Sequence, residues 1–432
     1  RCLVFSLCKN TIGALIGYTS FISNKVVPLL LGSDISEEML LNLIEIYSPN
    51  FIWLPENSEF DFNKYKVVYS AFGYILLKTE FSKVDMDNSL GLLLSTSGST
   101  ASPKLVRLSY RNIESNMKSI VEYLNITQEE RPITTLPFNY TYGLSVINSH
   151  LAKNSTILLN DYSVVDKNFW SFLKEYEATS ISGVPYTYEI LDKLRFYKME
   201  LKHLKTLTQA GGRLSEELQK KYVDYALKNE KEFVVMYGQT EATARISYLP
   251  FKESLNKIGS IGVAIPNGKI CIYDEDKEIT EANLVGELVY FGENASLGYA
   301  ECRTDLAKPD ENFGKIFTGD LAYFDEDGFY YIVGRKKRFL KVFGNRINLD
   351  ELENYMKNFY NIDCCATGVD DELVIIIDGD YDDVFFESIT NGISSKYHLS
   401  KLYFKIGCGK IYRSQSGKIL YSKTFDSFKN GD

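Results

Sequence analysis

Short, unbroken apolar runs alternate along this chain with stretches that carry the 3.6-residue period of an amphipathic helix. Cys2 to Leu7, Gly91 to Leu94 and Phe233 to Met236 read as buried strands. Ser109 to Leu124 reads as a helix with Ile113, Met117, Ile120, Val121 and Leu124 on one face. Ser215 is placed to cap a second helix, with Glu216 and Glu217 in its first turn and Leu218, Tyr222 and Tyr225 turned inward. Strand and helix patterns in alternation predict an α/β class. After Gly334 the pattern changes. A basic run, Arg335 to Arg338, leads to a turn at Gly344 and a helix starting near Asn348, with Glu351 at the capping-box spacing. Strand-like Leu373 to Ile377 and Leu402 to Ile406 follow. Residues 1–334 are therefore expected to form a large α/β domain of several subdomains, and residues 335–432 a small α+β C-terminal domain.

Bulk properties narrow the classes. At 45% hydrophobic and 24% charged residues, the chain has an ordinary globular composition. A net charge of −9 opposes general nucleic-acid binding. No apolar run approaches the roughly 20 residues that cross a bilayer, and Val26 to Leu31 is interrupted by Pro28. The seven cysteines are scattered and include no CxxC, which fits reduced thiols in a cytoplasm better than a disulfide framework or a zinc site. The vicinal pair Cys364-Cys365 reads as two buried side chains on a strand. The chain opens at Arg1 directly into a strand, with no signal-peptide pattern, as an N-terminally incomplete first domain would.

Ser95 to Lys104, STSGSTASPK, follows the apolar run Gly91 to Leu94. A buried strand here breaks into a loop of donors. Gly98 lets backbone N–H groups approach an anion. Ser97, Ser99, Thr100 and Ser102 add hydroxyls, and Lys104 adds a mobile charge, so the loop suits a polyphosphate. Neither GxxxxGK[ST] nor GxGxxG occurs.

Further segments have the composition of a ligand site rather than a core. Tyr237-Gly238-Gln239-Thr240-Glu241 follows the strand Phe233 to Met236, at the strand end where open α/β sheets bind ligands. Ala210-Gly211-Gly212 lets a flat group lie against backbone. Then come Gly286-Glu287-Leu288 to Gly292, Thr318-Gly319-Asp320, Gly334-Arg335 with Lys341, Gly344 and Arg346, and Ser414-Gln415-Ser416-Gly417-Lys418.

In this order the segments resemble the signatures of the AMP-forming adenylate synthetases: acyl- and aryl-CoA synthetases, adenylation domains of nonribosomal peptide synthetases, and beetle luciferases. TSGSTASPK is similar to the family's [ST]SG[ST]TGxPK, with Ala101 in place of a glycine. YGQTE, GELxxxG, TGD, GRxKxxxKxxGxRI and a terminal GK lysine, Lys418, complete the set. Tyr412 stands where the terminal signature often has proline. The pattern is nearest to acyl-CoA and acyl-carrier-protein synthetases.

The resemblance implies an enzyme of two steps. A carboxylate attacks the α-phosphate of ATP, with Mg²⁺, to give an acyl-adenylate and pyrophosphate; a thiol of CoA or of a carrier-protein phosphopantetheine then takes the acyl group. It implies that Thr96, Ser97, Gly98, Ser99, Thr100 and Lys104 cradle the β- and γ-phosphates. Thr240 would contact the α-phosphate and Glu241 would hold Mg²⁺. Gly211, Gly212 and Tyr237, with Gly238 and Gln239 beside it, would enclose the adenine. Asp320 and Arg335 would hold the ribose. Lys418 would reach the reacting oxygens, and Lys337 would be the hinge about which a mobile C-terminal lid turns.

The acid is less legible. Leu136 to Ser145 contains no carboxylate to pair with an α-ammonium. It resembles the PxxHxxGL segment of acyl-CoA synthetases, with Tyr140 at the histidine position. An acid without an α-amine is expected, since an unpaired buried ammonium is costly. Tyr140, Tyr142, Gly183, Ala242 and Thr243 are the expected pocket. Two alternatives stand beside this reading: an amino-acid-adenylating ligase serving a carrier protein, and a non-catalytic nucleotide-binding protein on the same fold.

Overall fold

The computed structural model describes residues 1–60, 64–95, 104–336, 338–343, 345–397, 399–413 and 418–430. Thr96, Ser97, Gly98, Ser99, Thr100 and Lys337 lie outside the described residues, as do Ala101 and Ser414 to Gly417. The chain packs as two compact units. One comprises residues 1–270 with 289–316, the other residues 271–288 with 317–432. The fold is mixed α/β, as the alternating pattern predicts.

The first unit carries two sheets. An eight-stranded sheet runs in the order Tyr299–Ala300, Leu105–Ser109, Leu90–Ser95, Val27–Gly32, Leu3–Cys8, Phe51–Pro55, Tyr74–Lys78, Lys66–Ala71. Its central strands are parallel and covered on both faces. Leu3, Phe5 and Leu7 point into one core cluster, and Val4 and Cys8 into another. That two-sided burial is why the run is continuously apolar rather than alternating. A six-stranded sheet runs Val263–Ala264, Ser247–Tyr248, Glu232–Tyr237, Thr206–Gln209, Ser180–Gly183, Pro132–Ile133, with a parallel centre.

The helix Tyr110–Tyr123 forms where the period predicts it. The Ser109 hydroxyl caps it by accepting from the Asn112 N–H at 3.0 Å. Its buried stripe differs from the expected apolar face, however: Asn112, Asn116 and Ser119 are buried with Ile120, while Ile113, Met117, Val121 and Leu124 are only half-buried. The polar stripe holds loops by their carbonyls. Asn112 donates to Glu293 O and Ala295 O, both at 2.7 Å, and Ser119 to Pro266 O at 2.7 Å. Helical periodicity cannot announce side chains buried to hold loops. The helix Glu216–Lys228 is capped by Ser215 as expected and buries Tyr222 and Tyr225; Leu218 is half-buried.

The second unit holds strands of a five-stranded sheet ordered Lys277–Ile279, Lys269–Asp274, Gly286–Phe291, Lys315–Phe324, Tyr330–Arg335. A hairpin, Phe339–Val342 with Asn345–Asn348, follows. Asn348 then caps the helix Leu349–Tyr360, accepting from the Asp350 and Glu351 N–H groups. A three-stranded sheet joins Cys364–Val369, Glu372–Ile377 and Phe404–Cys408. The strand expected at Leu402 to Ile406 starts two residues later. Lys401–Tyr403 is a single 3₁₀ turn capped by the Ser400 hydroxyl, which leaves Leu402 90% exposed. Cys364 and Cys365 project to opposite faces of their strand, into different core clusters. Burial pushes the Cys365 thiol up to about 12 and Cys364 well above its usual value. They are packing residues.

Candidate functional site

Three parallel strands end side by side in the first unit, with Gly183 in register with Gln209 and Gln209 with Val235. The expected ligand residues follow at this carboxyl edge. Gly211 has φ +86°, a conformation that favours glycine, and a Cβ there would stand 2.6 Å from the Tyr140 hydroxyl. A Cβ on Gly238 would lie 1.9 Å from Ala244 O. Gln209 donates to Gly212 O at 2.9 Å and fixes the glycine turn.

Past Tyr237 the chain makes a 3₁₀ turn, Thr240–Ala242, and Thr243 takes φ 59°. This left-handed backbone is held from a distant segment. The Thr243 hydroxyl donates to Asn294 O at 2.7 Å. The Asn294 amide donates to both Ala242 O and Arg245 O at 2.8 Å, and Tyr290 donates to Asn294 Oδ1 at 2.7 Å.

The turn presents two polar groups. The Thr240 and Thr141 hydroxyls lie 2.8 Å apart. Glu241 Oε1 accepts from the Tyr299 hydroxyl at 2.8 Å. Burial, and then the Glu241 charge, raise the Tyr299 pKa, so the phenol stays a donor. The Lys104 ammonium sits 3.8 Å from the centre of the same ring, and 3.5 Å from Glu301 Oε1. Ser95 ends one strand and Lys104 immediately precedes its antiparallel partner, with Ser95 opposite Leu105. The structure thus brings Lys104 and Glu241 to Tyr299, which sequence reasoning missed, with Thr240 beside Glu241 on the same turn.

The same unit holds a cavity of about 40 Å³ between the helix residues Tyr142 to His150 and the strand residues Ser182, Thr208 and Met236. Of the five expected pocket residues, Tyr142 lines it. Tyr140 packs edge-on to Tyr142 with centroids 6.4 Å apart, and burial pushes its phenol up to about 12. Ala242, Thr243 and Gly183 are outside the lining. Ser182, Thr208, Met236 and Arg245 are in it and were not anticipated. The Thr208 hydroxyl joins those of Tyr142 at 2.7 Å and Ser182 at 2.9 Å.

The second unit carries the other expected residues. Asp320 is buried, and its carboxylate lies 3.2 Å from Arg335 Nε on the neighbouring strand. Thr318, just ahead of it, donates to Leu288 O at 2.8 Å, and Glu287 accepts from the Gly319 N–H at 3.2 Å. The GEL and TGD segments therefore support one another. Lys336 pairs with Glu287 at 2.8 Å. Lys418 lies between two anchors. Arg413 and Ile419 form an isolated bridge, and Tyr421 donates to Glu353 Oε2 at 3.0 Å. Glu353 Oε1 accepts from Arg338 and from the Ala366 N–H, both at 2.8 Å, and Arg338 lies 3.8 Å over the Tyr421 ring.

Burial drives the Glu353 pKa up to about 7 against the pull of Arg338. The folded unit then holds a proton that the unfolded chain releases near its ordinary 4.5. Stability contributed here is full below about pH 4.5 and falls as pH rises towards 7. Glu353→Gln is expected to flatten that slope in denaturant titrations across the window. An unchanged slope contradicts the assignment.

Among the described residues no three His, Cys, Asp or Glu side chains form a metal cage. Glu241 keeps one carboxylate oxygen clear of the Tyr299 hydrogen bond to Oε1. A single hard oxygen donor beside a phosphate site fits Mg²⁺, which is commonly held by one or two carboxylates together with substrate phosphates.

Residues 47–300 match the model of a family described as AMP-binding enzyme. The chain is 29% identical over 293 residues to an oxalate–CoA ligase of Arabidopsis thaliana, covering 65% of this chain and 55% of that protein. It is 27% identical over 304 residues to a luciferin 4-monooxygenase of Luciola mingrelica, covering 68% and 54%. The chain thus spans about half the length of these curated relatives. In fold it is similar to the o-succinylbenzoate coenzyme A synthetase of Bacillus subtilis in complex with ATP and magnesium ion, with a TM-score of 0.79 at 21% identity over 98% of this chain and 89% of that one.

Proposed function

The chain belongs to the AMP-binding enzyme family, and on that premise we propose that it activates a carboxylic acid as an acyl-adenylate and passes the acyl group to a thiol. In the first step an acid oxygen attacks the α-phosphorus of ATP. The acyl–phosphate bond forms, and the bond to the β-phosphate oxygen breaks to release pyrophosphate. In the second, a thiolate attacks the acyl carbon and AMP leaves.

One observation carries this reading: Lys104 and the Glu241 carboxylate meet at Tyr299, and the Thr240 hydroxyl stands on the same turn as Glu241, past the end of a parallel strand. Two anions must meet in the reaction, so positive charge and donors have to be in place before phosphorus becomes pentavalent. Lys104, with the loop Thr96 to Thr100, would bind the leaving phosphates. Thr240, its hydroxyl positioned by Thr141, would donate to the α-phosphate. Glu241 would hold Mg²⁺, which when bound offsets phosphate charge. Gly211, Gly212 and Tyr237, with Gly238 and Gln239, would line the adenine. The Asp320–Arg335 pair would meet the ribose, Lys418 the reacting oxygens, and Lys337 would act as hinge between residues 1–334 and a lid of 335–432. CoA and a carrier-protein phosphopantetheine offer the same thiol. The free cysteines fit a cytoplasmic setting.

The test is ATP–pyrophosphate exchange across a panel of short, aromatic and amino acids. Acid-dependent exchange is expected. ATP binding without exchange for any acid would favour a non-catalytic nucleotide-binding protein. Exchange with amino acids alone would favour a carrier-protein ligase.

A further inference from the structure

Arg245 lines the cavity and is only 3% exposed. A guanidinium has five N–H donors and is always charged. Here Nε donates to the thioether of Met236 at 3.3 Å and one terminal nitrogen to Ala244 O at 3.5 Å, and the Tyr123 phenol is also within reach. Its face lies 4.1 Å from the centre of the Tyr142 ring. A thioether is a weak acceptor, and a carbonyl at that distance is a poor one. Among the described residues no carboxylate forms an ion pair with Arg245. Glu130, the one carboxylate in the cavity lining, pairs with Lys205 at 3.1 Å. His150 is held neutral by burial, with Nδ1 2.8 Å from Val146 O. A buried cation without an anion is costly, and Arg107, buried in the same unit, does have its carboxylate, Glu311 at 2.6 Å.

We propose that the acid this chain activates is short and carries a second anionic group, which enters the cavity and pairs with Arg245. The inference rests on the adenylation reading and names its substrate class. The lining supports it. The hydroxyls of Ser182, Thr208 and Tyr142 stand beside the cation and can turn a proton towards an anion. The volume, about 40 Å³, is roughly three times what one ordered water needs, so it takes a carboxylate-sized group and not an alkyl chain. Tyr142, which lines the cavity, follows Thr141 on the same helix, and the Thr141 hydroxyl meets Thr240. An acid with one end at Thr240 and the other at Arg245 is therefore compact. An ammonium entering the cavity would meet like charge.

The competing explanation is a structural arginine sandwiched by tyrosines, stabilised by cation–π attraction. Exchange assays on the full chain separate the two. Oxalate, malonate and succinate are compared with acetate, propionate and butyrate, which lack the second charge. The intact protein is expected to prefer a dicarboxylate over its uncharged-end counterpart by about 100-fold or more in kcat/KM, because a site built for a charged partner rejects the analogue lacking it. Arg245→Met is expected to remove that preference, and Arg245→Lys to restore part of it. Preference for monocarboxylates by the intact protein overturns the inference and leaves adenylation standing. Equal loss on both acids in a folded Arg245→Met protein also overturns it. Should Arg245→Met not fold, the preference of the intact protein decides alone. Exchange with no acid at all overturns the adenylation reading and this inference with it.

Discussion

Lys418→Ala is expected to slow acyl-adenylate formation by about 10²–10³-fold, the usual effect of removing one donor aimed at developing charge. Thiol transfer from a preformed acyl-adenylate should stay within a few-fold, because by then pyrophosphate has gone and the α-phosphate is no longer being attacked. Single-turnover assays of each half-reaction make the comparison. The split matters more than the size: equal loss in both steps would falsify the role given to Lys418. The lysine's surroundings favour a specific effect over a folding defect. The bridge between Arg413 and Ile419 holds one side of it, and the Tyr421 hydroxyl on Glu353 holds the other. Neither anchor uses the Lys418 side chain. Glu353→Gln, which alters an anchor and keeps the lysine, should leave adenylation largely intact.

Arg107→Met is expected to cost about 2–3 kcal/mol, because buried backbone carbonyls lose a charged donor, while Glu311, about half exposed, is solvated when its partner goes. The side chain is fully buried. Its guanidinium donates to Leu297 O at 2.7 Å, Tyr299 O at 3.1 Å, Pro309 O at 3.2 Å and Glu311 Oε2 at 2.6 Å. One residue on the strand after the serine-rich loop thus ties down the segment that delivers Tyr299. Methionine fills much of the volume but leaves those carbonyls without a donor. Arg107→Lys should recover little, because a single ammonium cannot reproduce the planar fork. Chemical denaturation of the full chain measures the loss, and a drop below about 1 kcal/mol would contradict the account. ATP affinity should fall as well, through displaced Tyr299.

The α/β order, the strand Glu232–Tyr237 and the cap at Ser215 were legible because each depends on neighbours within a few residues. So were the glycines: Gly211 is fixed by its positive φ and Gly238 by backbone crowding that only glycine tolerates. What stayed hidden depends on contacts remote in sequence. Tyr299 meets Glu241 across 58 residues, and Thr141 meets Thr240 across 99. A tyrosine after a glycine gives no sign of such a duty. Arg245 was invisible for another reason. Burial of a cation cannot be read from a lone arginine four residues past Glu241, and its meaning appears only with the cavity. The buried polar stripe of Tyr110–Tyr123 was missed because the apolar residues beside it carry the stronger period.

The ring of Tyr299 acts as an insulator between two opposite charges. Lys104 rests on its face and Glu241 accepts from its edge, so the cation and the anion are near neighbours that never touch. In direct contact they would short-circuit, and an incoming polyphosphate or metal ion would first have to prise them apart. A cation–π contact at a partly exposed site holds a lysine by only about 0.5–1 kcal/mol, and an exposed ion pair such as that with Glu301 adds at most about 1 kcal/mol, so a phosphate displaces both. The resting site thus keeps Lys104 off Glu241, tethered by the ring and by the exposed Glu301 carboxylate at 3.5 Å, so that a ligand exchanges weak contacts rather than a direct ion pair between the two.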